Sequence, residues 1–66
     1  MSVMIVNGES HPVDAANLME FIKSLGLDPR TVAVERNGAI LKRDLWENTE
    51  LLEEDKLEII RFVGGG

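Results

Sequence analysis

The sequence predicts a small α+β fold, one mixed sheet of four to five strands with a single helix laid across one face. Three observations predict it. Asn-Gly occurs twice between short apolar runs, at Asn7-Gly8 and Asn37-Gly38, and this dipeptide tolerates the positive φ angles of a type I′ hairpin turn. Between the two hairpins, only the segment from Leu18 to Leu25 repeats its apolar residues at helical spacing. A final apolar run, Leu57 to Val63, precedes three glycines. The order β, β, α, β, β, short turn, β in 66 residues leaves material for one sheet and one helix and no more.

Val3 to Val6 is rich in β-branched residues and reads as the first strand. Its hairpin partner, Glu9 to Val13, contains Pro12, which lacks the N–H of a central strand and so belongs at a sheet edge. His11 lies on that edge with no second His or Cys nearby and is expected to be a solvated surface residue. Asn17 and Glu20 form a capping-box-like pair ahead of a helix from Leu18 to Leu25. Leu18, Phe21, Ile22 and Leu25 form its core stripe, with Met19 filling the margin. Gly26 ends it, and Leu27 folds back on the last turn.

Asp28-Pro29 breaks the helix before a third strand, Thr31 to Arg36, which pairs through Asn37-Gly38 with Ala39, Ile40 and Leu41. Asp44 to Glu47 reads as one short helical turn, with Trp46 as a lid over one end of the core. From Glu47 to Asp55 there are five acids and no base. Glu53-Glu54-Asp55 lacks the oxygen spacing and central glycine of a calcium loop, so a solvated turn is expected. In the last strand, Leu57 and Ile59 face the core, while alternation turns Ile60 and Phe62 outward, where a single-layer sheet should carry polar groups. Outward apolar residues beside a glycine tail suit a partner-docking patch. The first and last strands, both apolar, are the natural central neighbours and should pair in parallel.

Composition narrows the function. A chain of this length has little material for an enclosed active site, and no nucleophile, base and oxyanion donors converge in it. It has no cysteine, which is compatible with a reducing compartment. No secretory leader or membrane-length apolar run is found, so a soluble, cytoplasmic protein away from membranes is expected. Twelve acidic against seven basic residues, net charge −5, oppose docking on nucleic acid and suit a basic patch on another protein. Residues 1–63 read as one domain and residues 64–66 as a flexible tail. Without side chains, Gly64, Gly65 and Gly66 form a thin leash that spans roughly 10 Å when extended.

The whole chain resembles the ubiquitin-like β-grasp proteins, and more narrowly the ThiS-type sulfur carriers of thiamine biosynthesis. The resemblance is carried by Val6-Asn7-Gly8-Glu9, the helix end Leu25-Gly26-Leu27, the run from Val32 to Gly38, Arg43 with Trp46, and the run from Leu57 to Gly66. It implies a carrier and not a catalyst, with no bound cofactor. The Gly66 carboxylate would be adenylated with MgATP by a ubiquitin-activator-like adenylyltransferase. It would then be converted to a thiocarboxylate with sulfur from a cysteine desulfurase or other persulfide donor, and would deliver that sulfur to thiazole synthase. Gly64 and Gly65 would thread the tail, and Ile60, Phe62 and Val63 would be gripped by partners. Carriers for molybdopterin, tRNA or cysteine synthesis, and ubiquitin-like modifiers, share the outline.

Overall fold

The structure, a computed structural model, describes residues 2–61. Five strands form one sheet: β1 (Val3–Val6), β2 (Glu9–Pro12), β3 (Val32–Arg36), β4 (Ala39–Leu41) and β5 (Lys56–Arg61), in the order β2-β1-β5-β3-β4. One helix, α1 (Leu18–Ser24), and two 3₁₀ turns, Pro29–Thr31 and Arg43–Asn48, complete it. β1 and β5 pair in parallel at the centre, and the other neighbours are antiparallel. This is the mixed sheet expected from the sequence, with the proline-bearing β2 at an edge.

Both Asn-Gly pairs take left-handed angles, φ 49° and 84° at Asn7-Gly8 and 51° and 89° at Asn37-Gly38. That backbone matches the twist of the strands on either side, which accounts for the tightness of both hairpins. Asn17 caps α1, its Oδ1 accepting from the Glu20 N–H at 2.9 Å. Gly26 is left-handed at φ 77°, as a helix-terminating residue should be.

Side chains alternate along each strand, so the sheet has an inner face and an outer face. Met4, Val6, Val32, Val34, Leu57 and Ile59 are buried with Leu18, Phe21 and Ile22 of α1. Trp46 completes this core from the second 3₁₀ turn, its Nε1 donating to the Leu41 carbonyl at 3.0 Å. The indole thus buries its ring while its polar atom is satisfied, as the lid assignment requires.

Several expectations are corrected. α1 ends at Ser24, so Leu25 is its C-cap and is 39% exposed; it is not part of the core stripe. β2 stops at Pro12 and β3 starts at Val32, because Asp28 caps a 3₁₀ turn that takes in Thr31. There, Arg30 bonds the Asp28 carboxylate through its side chain and its backbone N–H, which holds that exposed carboxyl below its usual range. His11 is half-buried, its ring edge-on to Phe21 at 5.8 Å between centroids, because β2 turns it to the inner face beside Met4.

The acidic turn is not wholly solvated either. Asp55 is only 5% exposed. Its carboxylate meets the Arg36 Nη2 at 2.9 Å and accepts from the Leu52 N–H at 3.0 Å and from Asn37 Nδ2 at 3.4 Å. These bonds fix the chain just where it enters β5. Removing one member of such a buried pair leaves the other charge uncompensated, so Asp55→Ala should lower unfolding free energy by about 3 kcal/mol in urea titration. A loss under about 1 kcal/mol would mean the pair is solvated in solution.

Candidate functional site

The site expected from the sequence is a surface leading to a chain end: Ile60, Phe62 and Val63 for docking, Gly64 and Gly65 for passage, and Gly66 for chemistry. Of these, Ile60 lies within the described residues; Phe62, Val63, Gly64, Gly65 and Gly66 lie outside them. Ile60 is on the outer face of β5 and 45% exposed, and Trp46 does not cover it, since Trp46 is buried in the inner core.

Pairing register builds a surface around Ile60. Ala33 of β3 stands directly across from it, and Glu58, two residues earlier on the same face, stands across from Glu35. Ile40 of β4, itself exposed, stands across from Glu35 on the other side. The outer face therefore carries apolar side chains and the exposed Lys56 around two carboxylates. Among the described residues, neither Glu35 nor Glu58 has a cation within ion-pair distance. Sequence reading missed this juxtaposition because the two acids are far apart in the chain and only the strand order brings them together.

The inner side of the same strand end is different. A recess of about 200 Å³ is lined by Asn7, His11, Leu25, Leu27, Ile59 and Arg61 among others. The exposed Leu25 belongs to its wall. A larger recess, about 680 Å³, lies between α1 and the two 3₁₀ turns, but it includes no residue of β5 and mixes Lys23, Arg30 and Arg43 with Asp28, Asp44 and Glu47. Being open and balanced in charge, it has no directed chemistry. Glu53, Glu54 and Asp55 do not converge, because Asp55 turns inward to Arg36; among the described residues no trio of Asp, Glu, His or Cys could hold a metal ion. No described helix is long and apolar enough to cross a membrane.

Asn7 also has a role that its turn motif did not disclose. Its carboxamide bonds the backbone of Ile59, accepting from the Ile59 N–H at 2.7 Å and donating to the Ile59 carbonyl at 3.2 Å. A contact across 52 positions leaves no trace in local sequence.

A five-stranded mixed sheet grasping one helix defines the class of ubiquitin-like β-grasp proteins. The sequence profile of the ThiS family matches residues 4–66. The sulfur carrier protein ThiS of Bacillus subtilis is 36% identical over 53 residues, covering 80% of each chain. The crystal structure of the thiamine biosynthesis protein ThiS from Geobacter metallireducens superposes with a TM-score of 0.79 at 32% identity, covering 97% of this chain and 99% of that one. A thiazole synthase of Magnetococcus marinus is 40% identical over 62 residues, which span 92% of this chain but only 19% of the synthase. The chain belongs to the ThiS family.

Like charges directly opposed across a strand pair destabilise a sheet. Glu58→Lys, which sets a cation across from Glu35, should therefore stabilise the fold by about 0.2–1 kcal/mol in denaturant titration. Unchanged or reduced stability would mean the two carboxylates do not repel.

Proposed function

We propose that the Gly66 carboxylate is the sulfur-carrying group and that it supplies sulfur for thiazole formation. The observation that carries this reading is the match to thiazole synthases: in Magnetococcus marinus a stretch similar to 92% of this chain occupies 19% of a longer synthase. A segment of this kind within a thiazole synthase suits a carrier whose sulfur acceptor is a thiazole synthase.

A carboxylate is a poor acyl donor because its oxygen is a poor leaving group. In the proposed sequence, a Gly66 carboxylate oxygen attacks the α-phosphorus of MgATP bound to a ubiquitin-activator-like adenylyltransferase, and pyrophosphate leaves. The terminal sulfur of a persulfide, supplied by a cysteine desulfurase or another donor, then attacks the acyl carbon, and AMP departs. A thiol cleaves the resulting acyl disulfide, leaving a thiocarboxylate and a protein disulfide. Thiazole synthase takes the sulfur from the thiocarboxylate. MgATP is thus a substrate of the partner.

This chain contributes position. Gly64 and Gly65 have no side chains to clash with a closing channel, so the reactive carbon can be held in near-attack geometry inside another protein. The outer face around Ile60, with Phe62 and Val63 further along, would supply the apolar grip; Glu35 and Glu58 would meet a basic group on the partner and steer encounter.

Incubation with a competent adenylyltransferase, MgATP and a persulfide donor should raise the intact mass by the difference between one sulfur and one oxygen. An unchanged mass with an active partner would refute the reading. Deleting Gly66 should leave the melting temperature unchanged and abolish that gain. Ile60→Asp should weaken association with the adenylyltransferase at least tenfold, as loss of a central apolar contact does, with stability shifted by no more than about 0.5 kcal/mol; titration calorimetry and urea unfolding separate the two.

A further inference from the structure

We propose that Asn7 is a positioning residue for sulfur loading: its carboxamide serves as a surrogate strand residue that fixes the end of β5 from which the reactive tail departs. The inference rests on the sulfur-carrier reading for its consequence, and on hydrogen-bond geometry for its mechanism.

The main chain of β1 cannot hold β5 to its end. The last register pair between them is Val6 with Leu57, and the backbone contact closes with the Asn7 N–H donating to the Leu57 carbonyl at 2.9 Å. There β1 turns away into the hairpin at left-handed Asn7 and Gly8. A continuing parallel neighbour would next offer Ile59 one donor and one acceptor. The Asn7 side chain offers both, at 3.2 Å and 2.7 Å, from a planar amide chemically equivalent to a peptide group. Two requirements thus converge on one residue: a backbone that tolerates positive φ and a short side chain that both donates and accepts. Asparagine meets both.

The clamp is placed where its effect on the tail is largest. Ile59 lies two residues before Arg61, the last described residue of β5. On the opposite side, β3 pairs with β5 out to Val32 and Arg61. With Asn7 in place, β5 is held from both sides as far as Ile59. Without it, the β1 side of the strand is open from Leu57 onward, and the end of the strand gains freedom that must be removed again whenever the tail is threaded.

The second hairpin provides a built-in comparison. Asn37 bonds β5 in a related way, accepting from the Lys56 N–H at 3.0 Å with its Oδ1, while its own N–H donates to the Lys56 carbonyl at 2.8 Å. It has the same residue type and the same left-handed turn, but it holds the start of the strand and not the end. A purely structural role predicts matching effects at the two sites. A positioning role predicts that only Asn7 affects loading.

The test uses Asn7→Gly and Asn37→Gly, since glycine keeps each positive-φ turn while removing the carboxamide. Full-length chains are assayed as substrates of the adenylyltransferase at a temperature where circular dichroism shows every variant folded. Asn7→Gly should lower kcat for pyrophosphate release roughly tenfold or more, with the carrier KM within about twofold because the outer face is untouched. Asn37→Gly should lose thermal stability and keep kcat. Amide hydrogen exchange at Ile59 should accelerate in Asn7→Gly alone. Should Asn7→Gly fold poorly, Asn7→Asp keeps the turn and the acceptor, loses the donor, and should reduce kcat in the same direction. Equal kcat losses at both sites, or an unchanged kcat in Asn7→Gly, would overturn the proposal. If the wild-type chain were not adenylated at all, the sulfur-carrier reading would fail; Ile59 exchange unaffected by Asn7→Gly would separately refute the clamp.

Discussion

The parallel pairing of β1 with β5 is the constraint on which the rest of the molecule depends. These strands lie at opposite ends of the chain, and joining them at the centre of the sheet commits everything between to wrapping around them. The pairing is short in register but extended at both ends by other bonds. The Ile5 N–H reaches the Asp55 carbonyl at 2.8 Å, and the Asn7 carboxamide reaches Ile59. Asp55 is in turn anchored by Arg36 of β3. One ion pair and one side-chain amide therefore set where β5 begins and how far it is held, and a strand so fixed can serve as a rigid base for the residues that follow it.

The two faces of that base are used differently. The inner face is consumed by packing: α1 and Trp46 cover it, and the buried polar atoms they bring are satisfied. Among the described residues nothing covers the outer face, and there Ile60 and Ile40 are exposed beside Glu35 and Glu58, neither of which has a described cation within ion-pair distance. Apolar surface and opposed like charges both lower the stability of an isolated sheet. Their coincidence on one face, next to the strand leading toward Gly66, fits a surface shaped for association.

Much of this was legible in the sequence, where local chemistry decides structure. Asn-Gly specified both hairpins, Pro12 specified the edge, and Asn17 with Gly26 bracketed the helix. Errors arose where tertiary contacts outweighed a local pattern. Leu25 continues the helical stripe in sequence, yet the helix closes one residue earlier and leaves it at the rim of the recess near Ile59. Asp55 looks like one more acid in a solvated run until β3 places Arg36 against it. His11 looks isolated in sequence because Phe21, the ring it packs on, is on another element. The surrogate strand contact of Asn7 and the opposition of Glu35 and Glu58 depend on strand order and were out of reach of any local reading. Function was legible chiefly through the whole-chain resemblance, since the chemistry we propose rests on the terminal carboxylate and leaves no constellation of side chains to find.

The central claim is that a Gly66 carboxylate oxygen becomes bonded to the phosphorus of AMP before sulfur replaces it. Labelling both carboxylate oxygens of Gly66 with heavy oxygen and running the adenylation and sulfur-transfer steps to completion tests this directly by mass spectrometry of the released AMP. The account predicts one heavy oxygen in each AMP formed and one remaining on the thiocarboxylate. AMP without the label, with both heavy oxygens still on the protein, would contradict it.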